Sequence, residues 1–156
     1  MNFRRGNPSD ADNITQLIAS FQSELTDDPF GAGAESYLTS VSTDAERQYL
    51  ESDRYTYIVA ESGSSLAGFV AIRDKTHLFH LFVEKNYQRH GLARTLWKIA
   101  LSSEYSIPSS CTFTVNSSLI AVPVYTAFGF VPVGEVKHVH GISFLPMQLN
   151  DTQNGV

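Results

Sequence analysis

A six-residue polar stretch, Gln-Arg-His-Gly-Leu-Ala at 88–93, stands between an apolar run and an amphipathic segment. This pattern predicts a buried strand that ends before the stretch and a helix that begins at Gly91. A helix N-terminus favours an anion, because it offers unpaired N–H groups and about half a positive charge. Gly91 has no Cβ, so a ligand can approach the backbone there. The stretch therefore predicts a phosphate-binding turn, with the cations Arg89 and Arg94 at its edge.

Other phosphate-binding motifs fit this stretch less well. A P-loop needs Gly-x-x-x-x-Gly-Lys followed by Ser or Thr, and a dinucleotide-binding fold needs three spaced glycines. The sequence contains neither pattern. For these six residues alone, an ordinary solvated turn between a strand and a helix remains the alternative.

Two side chains outside the turn could move protons. His77 begins the predicted strand, and a histidine with an ordinary pKa of about 6.5 can accept a proton near neutral pH. Tyr125 lies in a later predicted helix, and its hydroxyl can donate a proton or a hydrogen bond. The alternatives are a histidine bonded to a backbone carbonyl and a tyrosine that only packs in the core. Strand alternation predicts two faces: His77, Phe79, Leu81 and Val83 on one, and Leu78, His80 and Phe82 on the other.

The chain resembles the GNAT N-acetyltransferase superfamily. Three stretches carry the resemblance by type and spacing: Gln88-Arg89-x-Gly91-x-Ala93, the preceding apolar residues 81–83, and Tyr125-x-x-x-Gly129-Phe130. Ala93 stands where the superfamily more often has Gly. The resemblance implies acetyl-CoA as cosubstrate. It implies these cofactor-binding residues: Leu81, Phe82, Val83, Gln88, Arg89, His90, Gly91, Leu92, Ala93, Arg94, Asn116 and Tyr125. His138 and His140 share a face of the closing strand and could form a metal pair, but no third ligand has supporting spacing, so we expect no metal.

The resemblance also implies a mechanism, the direct transfer of an acetyl group to a primary amine of a small molecule or peptide. In several families of the superfamily, the base is a Glu or His six residues before the end of the segment matching residues 81–83, and His77 occupies that position. Tyr125 matches the tyrosine that often serves as general acid for the CoA thiolate. Asn116 has an alternative role as the N-cap of the helix that follows.

Two further questions stay open. Asp27, Asp28 and Glu35 lie in or beside a loop that, by resemblance, covers the acceptor, and they hint at a cationic amine. A catalytically silent acyl-CoA-binding sensor or regulatory module with the same fold is the alternative to an enzyme. A nucleotide-binding domain is a third interpretation, and it predicts stronger binding of ATP or NAD than of CoA.

The order of predicted elements is one strand, two helices, three strands, a helix, a strand, a helix and two strands. The helix after residue 83 connects strands that should be parallel, since such a connection is a crossover. The fold class is therefore α/β with a mixed sheet, and the resemblance implies a mostly antiparallel, seven-stranded, GNAT-like sheet with a splayed parallel pair and about four flanking helices. Predicted strands cover about 3–5, 54–60, 66–72, 77–83, 111–115, 130–139 and 142–149, and predicted helices about 9–23, 35–51, 91–103 and 116–128.

Composition sets the remaining expectations. A length of 156 residues suits one domain, over 1–150, with a polar tail at 151–156. The net charge of −5 argues against nucleic acid as the main partner. Cys111 is the single cysteine, which excludes an intrachain disulfide and predicts a buried thiol on a strand. We expect a cytoplasmic protein without a membrane partner, because the sequence shows no signal peptide and no apolar run of about 18 residues. We expect a monomer or a homodimer.

Overall fold

A computed structural model describes residues 1–102 and 112–150. Short 3-10 turns lie at Pro8–Asp10, Lys85–Tyr87 and Leu119–Ala121. The helices and strands, in chain order, are β1 (Asn2–Arg5), α1 (Ala11–Ala19), α2 (Gln22–Leu25), α3 (Glu35–Ser40), α4 (Thr43–Glu51), β2 (Tyr55–Ser62), β3 (Ser65–Arg73), β4 (His77–Val83), α5 (Leu92–Ala100), β5 (Phe113–Ser118), α6 (Val122–Ala127), β6 (Val131–Pro132), β7 (Lys137–Val139) and β8 (Ile142–Leu149).

The strands form one mixed sheet in the order β1-β2-β3-β4-β5-β8-β6, and β7 also pairs with β8. All pairs are antiparallel except β4 with β5, which are parallel. The predicted α/β class and mixed sheet are confirmed. The described residues give eight strands rather than seven, because the predicted strand 130–139 is divided into β6 and β7. Pro132 lacks an N–H donor and Gly134 favours a bend, so the extended chain is interrupted between them.

Helices cover both faces of the sheet, with one apolar cluster on each side. On one face, α5 and α6 contribute Leu92, Leu96, Trp97 and Tyr125 to a buried cluster. On the other face, α1 packs Ile14, Leu17 and Ile18 against β2 and β3. None of the helices within 1–102 and 112–150 is long and apolar enough to cross a membrane.

Two predicted helices are each divided in the structure. The predicted helix 9–23 forms α1 and α2, and the predicted helix 35–51 forms α3 and α4. Ser42 begins α4, since its hydroxyl accepts a hydrogen bond from the N–H of Ala45 at 3.2 Å. The predicted helix 91–103 corresponds to α5, which ends at Ala100, and position 103 lies outside the described residues.

The predicted helix start at Asn116 is wrong. Strand β5 continues to Ser118, with Asn116 paired with Pro146 and Ser117 with Leu145 of β8, and α6 begins only at Val122. Asn116 therefore does not cap a helix, because pairing with a strand far along the chain outweighs its local capping preference. The predicted strand began at Cys111, but that residue and the tail at 151–156 lie outside the described residues.

Strand β4 contains a bulge that changes the faces of its side chains. Ala71 pairs with His80 and Ile72 with Leu78, so Phe79 is left unpaired. An extra residue in one strand shifts the alternation of faces. Phe79 and His80 consequently stack on each other, with ring centroids 4.0 Å apart.

The predicted faces of β4 are therefore wrong at Leu78 and Phe79, whereas Leu81 and Val83 lie opposite Phe82 as predicted. Leu78, Leu81 and Val83 pack with the cluster under α5 and α6. Phe79 and Phe82 pack with the cluster under α1 and α4.

Candidate active site

Strands β4 and β5 separate soon after they meet. Their register comprises His77 with Thr114 and Leu78 with Val115. After Leu78 the strand β4 continues to Val83 without a ladder partner on that side, while the other edge of β5 is paired with β8 along its whole length. The expected splayed parallel pair is thus present, and it leaves an opening in the middle of the sheet.

A large cavity of about 800 Å³ lies at this opening. It is bounded by the end of β4, the turn at 85–91 and the first residues of α5 and α6. Of the predicted cofactor-binding residues, nine line it: Leu81, Phe82, Val83, Gln88, Arg89, Gly91, Leu92, Ala93 and Tyr125. Its size and mainly apolar lining suit an elongated organic ligand.

The turn before α5 presents its backbone to the large cavity. Gln88 fixes the turn to the strand, because its side-chain N–H donates to the carbonyl of Val83 at 3.0 Å. Arg89 and Gly91 both have left-handed backbone angles, with φ of 67° and 77°. A Cβ built on Gly91 would meet no atom within 4 Å, and no side chain caps the helix that follows. The first N–H groups of α5 are therefore accessible to an anion, as the sequence predicts.

A small cavity of about 270 Å³ adjoins the large one. It lies between the start of β4, α3 and the strands β5 and β8, and its lining includes Tyr37, Arg73, His77, His80 and Asn116. Six residues line both cavities: Leu25, Leu81, Phe82, Ser118, Ala121 and Tyr125. The two cavities therefore meet at the splay, where two ligands could come into contact.

His77 lines the small cavity and is held at one ring nitrogen. Its Nδ1 lies 2.8 Å from the hydroxyl oxygen of Thr114. Burial, followed by the nearby guanidinium of Arg73, lowers the pKa of His77 to about 4. The imidazole is therefore neutral at neutral pH and keeps one lone pair, but it is a weak base.

Tyr125 is buried at the junction of the two cavities. It lies in α6, only 5% exposed, and its ring packs against Phe128 and Phe130. Burial raises the pKa of Tyr125 above its ordinary value. The side chain is therefore a hydroxyl and a hydrogen-bond donor throughout the physiological range.

A family model described as the acetyltransferase (GNAT) domain matches residues 24–150. The chain belongs to the GNAT acetyltransferase family. The curated proteins contain no match to it. Solved structures share its fold, at low sequence identity.

Three of these structures illustrate the similarity. A GCN5-related N-acetyltransferase from Rhodopseudomonas palustris has a TM-score of 0.74 and 17% identity, over 96% of this chain and 94% of that one. PaiA N-acetyltransferase from Thermoplasma acidophilum, in complex with coenzyme A, has a TM-score of 0.67 and 16% identity, over 96% and 98%. YncA from Salmonella typhimurium, a putative acetyltransferase with its cofactor acetyl-CoA, has a TM-score of 0.68 and 17% identity, over 96% and 93%.

Three of the predicted cofactor-binding residues do not line the large cavity of this GNAT domain. His90 is exposed in the turn. The Arg94 guanidinium donates to the carbonyl of Ala127 at 3.2 Å and lies 5.3 Å from the centre of the Phe128 ring. Arg94 thus joins α5 to the end of α6. Asn116 lines the small cavity instead, on the exposed face of β5.

A buried carboxylate under the small cavity is the main polar feature that the sequence did not predict. Glu46 of α4 is fully buried, with one oxygen accepting from the Tyr57 hydroxyl at 2.6 Å and the other 2.9 Å from Nε2 of His80. Burial, and then the Glu46 charge, raises the pKa of Tyr57. Glu46 precedes the inward-facing Tyr49 and Leu50 by three and four residues, so helical spacing could have indicated its burial.

The acidic residues of the loop at 26–34 are engaged with backbone and side chains nearby. Asp27 accepts from the hydroxyl of Ser143 at 2.5 Å, and Asp28 accepts from the N–H groups of Phe30 and Ala32. Glu35 accepts from the N–H of Gly33 at 3.2 Å. None of these three carboxylates is among the described residues that line the small cavity.

His138 and His140, the conceivable metal pair, lie in the hairpin formed by β7 and β8. The Nδ1 of His138 lies 2.6 Å from the hydroxyl of Ser143, and His140 lies in the tight turn with φ of 50°. Among the residues that the structure describes, no group of three or more His, Cys, Asp or Glu side chains is arranged to hold a metal ion.

Proposed function

We propose that this chain is an acetyl-CoA-dependent N-acetyltransferase that acts on a primary amine by direct attack in a complex with both substrates. One observation carries the proposal: a large and a small cavity meet at the splay of β4 and β5, and Tyr125 lines both. The large cavity suits acetyl-CoA, and the small cavity suits the acceptor. Solved structures of the same fold bind CoA or acetyl-CoA.

The turn at 88–93 would hold the pyrophosphate of acetyl-CoA. Its support is the open space in front of Gly91 and the uncapped N-terminus of α5. Arg89 would add a cation at the edge, since it lines the same cavity. Leu81, Phe82 and Val83 would run beside the pantetheine arm, where β4 lacks a neighbour. Asn116 would contact the acceptor rather than the pantetheine, given its place in the small cavity.

The reaction forms a bond between the amine nitrogen and the acetyl carbonyl carbon and breaks the bond from that carbon to sulfur. An N–H group of β4 near Phe82 would stabilise the developing oxyanion. Tyr125 would give its proton, or a hydrogen bond, to the departing thiolate. This role suits a buried hydroxyl whose raised pKa keeps it protonated.

His77 would take the proton that the nitrogen loses through bridging water, since roughly 15 Å of regular strand lies between His77 and Phe82. Its pKa of about 4 makes it too weak to deprotonate a free ammonium ion efficiently. As the new bond forms, however, the nitrogen becomes positively charged and much more acidic. A neutral imidazole in the small cavity can accept the proton at that stage.

Thiol release from acetyl-CoA in the presence of a panel of amines tests the proposal. We expect turnover by the wild type, a loss of about 10²-fold in kcat for Tyr125→Phe and a similar loss for His77→Ala. Lys98→Ala, on the exposed side of α5, serves as the control variant and should retain full activity.

Because His77 is a weak base, one alternative remains, a catalytically silent acyl-CoA-binding module. That alternative predicts tight binding of CoA by calorimetry without turnover of any amine. Stronger binding of ATP or NAD than of CoA would contradict both interpretations and favour a nucleotide-binding domain.

A further inference from the structure

The small cavity has an unusual charge for the site of an amine. Of the described residues that line it, none is Asp or Glu, and Arg73 is the one with a permanent charge. His77 is neutral at neutral pH because its pKa is lowered to about 4. The carboxylate of Glu46 lies beneath the lining and is already hydrogen-bonded by Tyr57 and His80.

Arg73 lacks a close partner for its guanidinium group. Among the described residues it makes no side-chain hydrogen bond, and its nearest carboxylate, Asp74, is 3.8 Å from Nε. Asp74 is bound instead by Arg54, through two hydrogen bonds of 2.9 Å each. The three side chains together carry one net positive charge. The planar guanidinium of Arg73 is therefore available for a bidentate contact with an anion.

The guanidinium group of Arg73 lies against the lining of the small cavity, beside the proposed base. The guanidinium carbon of Arg73 lies 5.4 Å from the centre of the Phe79 ring, which also lines the small cavity. Arg73 is the cross-strand partner of His77, and after burial it is the largest cause of the lowered pKa of His77. The positive potential of Arg73 therefore reaches the proposed base.

We propose that the acceptor is a small amine that also carries a carboxylate, and that Arg73 binds this carboxylate. The inference rests on the proposed function and names the substrate class for the same site. His77 and Phe82 are five residues apart on β4, or roughly 15 Å along a regular strand. A body of several bonds must consequently separate the amine from the carboxylate. The aromatic rings of Tyr37, Phe82 and Phe144 line the space between and suit an apolar body.

The volume of about 270 Å³ and this separation favour a dipeptide with apolar side chains, whose amine and carboxylate lie at opposite ends. Polyamines are disfavoured, because Arg73 repels additional positive charge and no described lining residue offers a carboxylate. The acidic residues that suggested a cationic acceptor, Asp27, Asp28 and Glu35, are engaged within their own loop and hairpin.

A bound carboxylate would also affect the proton transfer. Arg73 lowers the pKa of His77, so neutralising its charge removes part of that effect and raises the pKa towards the ordinary value. His77 becomes a stronger base when the acceptor is in place. An acceptor without an anionic group would leave the base weak.

Matched pairs of acceptors test the inference. The dipeptide phenylalanylleucine is compared with its C-terminal amide, and leucylphenylalanine is compared with its own. For the wild type, kcat/KM for the carboxylate member of a pair should exceed that for its partner by about 10- to 100-fold. Arg73→Gln should abolish this preference. Arg47→Gln removes the same charge from an exposed site on α4 and should retain it.

A wild type that prefers a polyamine or the partner without a carboxylate, or an Arg73→Gln variant with an unchanged preference, would overturn the inference. A binding measurement keeps it testable if no amine is acetylated. Calorimetry in the presence of CoA should then detect N-acetylphenylalanylleucine and not its C-terminal amide, with the difference absent in Arg73→Gln. That result would reject the proposed transferase function but support the proposed carboxylate site at Arg73. If neither compound binds, the carboxylate site at Arg73 is rejected.

Discussion

Removal of the buried carboxylate of Glu46 should strongly destabilise the protein. In Glu46→Ala, the Tyr57 hydroxyl loses its 2.6 Å hydrogen bond and Nε2 of His80 loses its partner at 2.9 Å. Each unsatisfied buried polar group costs about 1–3 kcal/mol, and breaking a buried ionic pair costs about 3–5 kcal/mol. We expect a loss of about 3–5 kcal/mol, or a decrease of roughly 10–15 °C in Tm for a chain of this size.

Urea unfolding followed by Trp97 fluorescence and far-ultraviolet circular dichroism measures this loss. Glu51→Ala, exposed at the end of the same helix, is the control and should change the free energy of unfolding by less than about 0.5 kcal/mol. A loss below about 1 kcal/mol for Glu46→Ala would refute the reasoning. Glu46→Gln then separates charge from hydrogen bonding, since an amide can satisfy Tyr57 and a neutral His80 but cannot balance a protonated one.

Three further predictions concern the active site. With a weakly basic, uncharged acceptor, the acidic limb of the pH profile of kcat/KM should lie near pH 4, because neutral His77 is the active form and its pKa is about 4. Arg73→Gln should move that limb to higher pH. A limb at about pH 6.5 in the wild type would contradict the assignment of His77. Gly141→Ala should raise the KM of the acceptor and leave CoA affinity unchanged. Gly141 has a φ of 79°, and a Cβ there would lie 2.6 Å from the carbonyl of Gly33. An unchanged KM would show that the hairpin and the loop at 26–34 do not shape the acceptor site. Gly91→Ala should lower the affinity for CoA about tenfold, as measured by calorimetry. The φ of 77° at this position is strained for an L-residue, and the new Cβ would enter the open space in front of the turn. An unaltered affinity would exclude this turn as the pyrophosphate site.

Features that depend on neighbouring residues were predictable from the sequence. The turn at 88–93 and the helix α5 follow from polarity, a glycine and helical spacing within one short segment. The parallel relation of β4 and β5 follows from the crossover rule and needs no knowledge of side-chain contacts.

Features that depend on distant partners were not predictable. Asn116 has the residue type of a helix cap, but pairing with β8 places it in a strand. The bulge at Phe79 is set by the register with β3, and it places Leu78 and Phe79 on the faces opposite to those expected. The hydrogen-bond partners of Glu46 lie 11 and 34 residues away, and the free charge of Arg73 depends on how Arg54 binds Asp74.

The measurement that most directly tests the central claim is a crystal structure of this chain with acetyl-CoA. We expect the pyrophosphate against the backbone N–H groups at 88–93 and the thioester at the splay of β4 and β5, within reach of the Tyr125 hydroxyl. A pyrophosphate bound elsewhere, or a thioester that does not reach the junction of the two cavities, would contradict the account.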